Sequence, residues 1–61
     1  MTFVHKGIAD AILSNGKRVD KIKAKGREQA VKFVVAECAS QKVKLSEDDV
    51  IKLGVQVYHA I

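Results

Sequence analysis

The residue pattern predicts an α+β domain: a compact sheet in strand, helix, strand, helix, strand order, with both helices on one face. Three observations lead there. Apolar residues recur at helical spacing ahead of Asn15-Gly16 and again over residues 27–41, lysines alternate with apolar residues over 19–25, and a similar alternation runs over 50–59. Strands joined through helices by right-handed crossovers form a parallel or mixed sheet, and two crossovers of one hand place both helices on the same side.

The first helix is expected from Lys6 or Gly7 to Ser14, after a few extended residues at 2–4. Ile8, Ala11 and Ile12 make its apolar set, and Asn15-Gly16 is the residue pair with which a helix enters the left-handed conformation and stops. Over 19–25, Ile22 and Ala24 point one way and Lys21, Lys23 and Lys25 the other, which is the period of a half-buried strand. A helix running on through Gly26 is disfavoured, because a mid-helix glycine costs about 1 kcal/mol relative to alanine. Residues 27–41 form an amphipathic helix in which Val31, Val34, Val35 and Cys38 follow the i, i+3, i+4, i+7 rule and Ala30 widens the stripe. Phe33 falls outside that stripe, as a single exposed aromatic or as the edge of a dimer or partner contact.

The last third reads two ways. Ile51, Leu53, Val55 and Val57 alternate with Lys52, Gly54, Gln56 and Tyr58, and β-branched residues crowd the segment, so a strand over 50–59 is favoured. The alternative is an all-α three-helix domain, with Ser46 as N-cap, Glu47, Asp48 and Asp49 in the first turn and Val50, Leu53, Val57 and Ile61 as the stripe. In the sheet reading Ile22, Ala24, Ile51, Leu53, Val55 and Val57 pack under the helices, and Lys21, Lys23, Lys25, Lys52, Gln56 and Tyr58 occupy the uncovered side.

With 61 residues the chain is a single domain, and one of this size buries only about 60% of the surface its unfolded form exposes. Cys38 is the lone cysteine and no Cys/His set has zinc spacing, so neither a disulfide nor a structural metal supports the core, and self-association is the remaining means. No signal peptide and no run of about 18 apolar residues is present, so a cytoplasmic protein without membrane attachment is expected.

Eleven Lys and Arg against seven Asp and Glu give a charge of +4, which favours polyanions, and the positive charge is concentrated between Lys17 and Lys44. Lys21, Lys23 and Lys25 on one sheet face, with Lys52 and Tyr58 beside them, would neutralise phosphates and stack on a base. No catalytic activity and no cofactor are expected. Cys38 lies on a buried stripe, His5 and His59 stand at opposite chain ends, Glu47-Asp48-Asp49 reads as a solvated turn or helix start, and the multi-glycine spacing of a phosphate loop is absent.

The run Val19-Asp20-Lys21-Ile22-Lys23-Ala24-Lys25-Gly26-Arg27, followed by Glu28-Gln29-Ala30-Val31-Lys32, resembles the second strand and second helix of Alba-like proteins. Gln29-Ala30-Val31-Lys32 is also similar to the corresponding stretch of stage V sporulation protein S, and Ile8-Ala9-Asp10-Ala11-Ile12-Leu13 sits where that family has its first helix. The resemblance spans about half the chain. It implies a usually dimeric, non-catalytic protein that binds DNA or RNA, with Lys6 at a nucleic-acid-contacting position and Lys25 and Arg27 as the basic pair around the glycine; because phosphate contacts carry little base information, weak sequence preference is expected. Beside it stands a second expectation of a different class: a small interaction or regulatory module that captures a protein partner through the Phe33 surface or an exposed sheet edge.

Overall fold

The computed structural model describes residues 5–61, and these form four helices and no strand. The helices are α1 (Lys6–Leu13), α2 (Gly16–Lys25), α3 (Arg27–Gln41) and α4 (Glu47–His59). The predicted sheet is overturned, and with it the fold that the Alba-like resemblance implied. The all-helical alternative has the right class, with four helices where three were expected. The extended residues expected at 2–4 lie outside the described residues.

Helix α1 has nearly the expected bounds and buries Ile8, Ala9 and Ile12. Asn15 acts in the opposite sense from the one read in the sequence. It begins the next helix, its side-chain oxygen accepting from the Lys17 and Arg18 backbone N–H groups at 3.1 and 3.3 Å. An asparagine in extended conformation satisfies orphan donors of a first turn in this way.

The strand expected over 19–25 is the second half of α2. Only Ile22 of its apolar residues is fully buried, Ala24 is exposed and Val19 is half-buried. The alternation belonged to the lysines and not to the residues that meet the core. Ile22 and Val19, three apart, line the inner side of a helix, which is the spacing that burial obeys. Gly26 stops this helix with φ 88° and ψ −167°, a conformation essentially reserved for glycine. Its N–H donates to the Ile22 carbonyl at 2.7 Å and its carbonyl accepts from Gln29 N–H at 3.1 Å, so one residue ends α2 and opens α3.

Helix α3 has the expected bounds and is the centre of the fold, touching α1, α2 and α4. That role explains its composition: apolar residues lie on several sides because neighbours do. Ala30, Val34 and Cys38 enter the core, and Phe33 packs against it from the α2 side. Phe33 is thus not the free aromatic that a single-stripe reading made of it. Val35, placed on the buried stripe, is 53% exposed. The helix ends on Lys42 in the left-handed conformation (φ 56°), and Val43 N–H reaches back to the Cys38 carbonyl at 2.9 Å.

The strand expected over 50–59 is helix α4. Ser46 caps it, its Oγ accepting from Asp49 N–H at 3.2 Å, and the three acids occupy the first turn, where the positive end of the helix dipole favours them. Leu53 and Val57 join the core, whereas Ile51 is exposed and Val55 half-buried. Gly54, one of the alternating residues of the expected strand, is buried in the helix interior because α3 passes against it. A Cβ at that position would lie 2.5 Å from Val31 Cγ2 and 2.9 Å from Val31 Cα. The five-residue connection and this close approach make α3 and α4 an antiparallel hairpin. Ile8, Ala9, Ile12, Ile22, Ala30, Val34, Cys38, Leu53 and Val57 form the core, with Leu13, Phe33, Val43, Leu45 and Val50 packed around it.

Candidate functional site

Two helices that cross on a glycine leave a trough beside the crossing. Outside the Gly54–Val31 approach, Arg27, Glu28, Val31 and Lys32 of α3 face Ile51 and Val55 of α4 across an open groove of about 550 Å³. Val35 lies one turn beyond Val31 on the same side of α3, and Tyr58 lies one turn beyond Val55 on α4. Val35 is 53% exposed, Ile51 47% and Tyr58 38%. The groove is therefore apolar along its floor, with Arg27, Glu28 and Lys32 at the end where α3 begins. Glu47 and Asp48 stand one turn before Ile51, at the end where α4 begins.

The residues expected to bind nucleic acid are not brought together. Lys21, Lys23 and Lys25 are all exposed, but a helix sets Lys23 about 200° around from Lys21, so the common face required of them does not exist. Lys21 and Lys25 instead continue a row begun by Lys17 at i, i+4, i+8 on the outside of α2. Lys23 borders a smaller depression with Tyr58, His59 and Ile61, where the Tyr58 and His59 rings meet edge to face at 5.7 Å. Lys6 opens α1, Arg27 opens α3 at the groove, and Lys52 is exposed on α4.

Phe33 belongs to a structural cluster. The Arg18 guanidinium lies 5.5 Å over its ring and donates to Glu37 Oε2 at 2.6 Å, while Gln41 Nε2 donates to Glu37 Oε1 at 3.0 Å. The hydrogen bonds from Gln41 and Arg18, and the charge of Arg18, hold the Glu37 carboxyl below its ordinary value of 4.5. Burial, with Glu37 beside it in sequence, pushes the Cys38 thiol above its ordinary value of 9.0, so the sulfur stays protonated and weakly nucleophilic at neutral pH. Among the described residues no group of three or more His, Cys, Asp or Glu is placed to hold a metal ion, and no helix is long and apolar enough to cross a membrane.

Sequence reasoning missed the groove because it assigned α4 to a strand. Read as a helix, that segment carries two apolar stripes: Val50, Leu53 and Val57 toward the core, and Ile51, Val55 and Tyr58 at i, i+4, i+7 beside them. The second stripe was the available signal. No family model matches the chain, and no curated protein or solved structure matches it either.

Proposed function

We propose that this chain is a small protein-interaction module that docks a partner on the groove between α3 and α4. One observation carries the reading: Val35 and Ile51 are about half exposed on facing helices, with Val31 and Val55 forming the floor between them. Scattered apolar residues are ordinary on a surface, but a contiguous apolar patch with a polar rim marks an interaction site. The site differs from the one expected from the sequence, since Phe33 lies beneath Arg18 and there is no sheet edge among the described residues. A cytoplasmic location is part of the proposal, and a lone buried thiol is compatible with that reducing compartment.

The test is a photo-crosslinking side chain introduced at Ile51 and, as a control, at Asp20 on the exposed side of α2. Protein adducts formed in the producing cell from position 51 and not from position 20 support the reading. Equal labelling from both positions, or none from 51, refutes it.

Nucleic-acid binding remains a second proposal, supported by the charge of +4 and by the Lys17, Lys21, Lys25 row, which makes no ion pair among the described residues. Duplex DNA, single-stranded DNA and RNA titrated at several salt concentrations test it. Converting the three lysines to glutamine is expected to flatten the salt dependence on duplex DNA by roughly 2–3 units of slope. Absence of binding to all three at low salt eliminates it.

A further inference from the structure

We infer that the occupant of the α3–α4 groove is a second copy of this chain, docked about a two-fold axis that sets the start of α3 in one copy against the start of α4 in the other. The inference rests on the groove being a docking site, as proposed above, and adds the identity of the partner.

Charge is distributed unevenly along the groove. At one end, Arg27 and Lys32 outweigh Glu28, while at the other Glu47, Asp48 and Asp49 in the first turn of α4 outweigh the exposed Lys44 that precedes them. Between the ends lie Val31, Val35, Ile51 and Val55. A two-fold interface must be complementary to itself, so that what residue i meets in the partner, the partner's residue meets in return. A face with opposite charge at its two ends and an apolar middle satisfies this condition when the copies lie antiparallel. The apolar middles then meet at the axis, and each basic end faces an acidic one. A uniformly acidic partner helix would suit one end and be repelled at the other, so the charge pattern favours self-pairing.

Size points the same way. A stable interface covers about 800 Å² of each partner, roughly a fifth of the 4144 Å² this chain exposes. One face of a molecule measuring 27 × 20 × 19 Å is of that order. The same contact would remove from water Val35 and Ile51, the two most exposed large apolar side chains among the described residues, and so extend a core confined to a few residues of each helix.

Sedimentation equilibrium of the purified full chain tests this directly. The expected mass is twice 6.7 kDa, and Ile51→Asp returns it to 6.7 kDa with the helical circular dichroism retained. Charge reversal tests the orientation: R27E/K32E and E47K/D48K chains are each expected to be monomeric alone, whereas a chain carrying all four changes pairs with itself again. Should the E47K/D48K change disturb α4, R27E/K32E against the wild type still reports the loss of self-association. A wild-type mass of 6.7 kDa up to about 1 mM, where binding free energy falls to about 4 kcal/mol, overturns the inference. So does a dimer that survives Ile51→Asp. A monomeric wild type that still forms adducts of foreign mass from position 51 overturns only the second copy as partner, whereas no adduct at all from 51 removes the docking site itself.

Discussion

Gly54 of α4 sits so close to Val31 of α3 that an added Cβ would fall 2.5 Å from the valine Cγ2 and 2.9 Å from its Cα. A flexible side-chain end yields to such a clash, but a backbone atom on a packed helix does not. The absence of a side chain at position 54 is therefore what lets the hairpin close, and the closeness of that crossing leaves Ile51 and Val55 beside it as the wall of a groove.

Gly54→Ala is accordingly expected to destabilise the fold. Overpacking costs about 1–3 kcal/mol, and the better helix propensity of alanine offsets at most about 1 kcal/mol of it. Adding Val31→Ala relieves the contact with Cγ2 but leaves the one with Cα, so the double variant should recover only part of the loss. Urea denaturation of the three proteins checks this, and an alanine at 54 as stable as the wild type would show that the helices are free to separate.

The Arg18–Glu37 pair gives stability a pH dependence of known sign. The Glu37 carboxyl is held below its ordinary value of 4.5 in the folded protein, so its contribution is complete at neutral pH, begins to decline as pH falls through 4.5, and is gone below the lowered folded value. Because the Arg18 and Glu37 side chains are 29% and 12% exposed, the effect is limited to about 1 kcal/mol. Thermal midpoints of the wild type and Glu37→Gln should therefore differ at pH 7 and converge as pH falls from 4.5 through the lowered folded value. A constant difference across that range would remove the ionised carboxylate as its cause.

Gly26 has open space beside its Cα, with no atom of another part of the chain within 4 Å of where a methyl group would stand, so any penalty for a side chain there is conformational. At φ 88° and ψ −167° an L-alanine is strained by about 1–3 kcal/mol. The mirror-image residue finds the same angles in its own extended region. Chemical synthesis of the chain with L- or D-alanine at this position should give a destabilised protein in the first case and one at least as stable as the wild type in the second.

Lys42 adopts left-handed angles (φ 56°, ψ 38°) at the end of α3. That conformation costs a side-chain-bearing residue about 1–2 kcal/mol and glycine very little. Lys42→Gly is expected to stabilise by about 1 kcal/mol, visible as a rise in Tm of about 4–8 °C for a domain of this size. A fall in Tm would mean that the flexibility glycine adds to the unfolded chain outweighs the relieved strain.

The sequence by itself determined the elements whose evidence is local. The bounds of α3, the end of α1 near Ser14 and the interruption at Gly26 were legible, and the acid-bearing cap at Ser46 only as the disfavoured alternative, because capping, glycine conformation and helical spacing act within a few residues. Whether Gly26 separated a strand from a helix or two helices from each other was not legible: both place a break there, and the alternating lysines of residues 21–25 imitate a strand while lying exposed around a helix. Only the tertiary structure decided that Gly54 belongs inside α4, since its reason for being there is Val31, more than twenty positions away in sequence. The same holds for Phe33, packed against the core beneath Arg18 of another helix, and for Val35, left outside while Val34 and Cys38 enter the core. Which side of a helix is buried depends on where its neighbours lie, and on a helix surrounded by three others the spacing of apolar residues cannot say which of them remain for a partner.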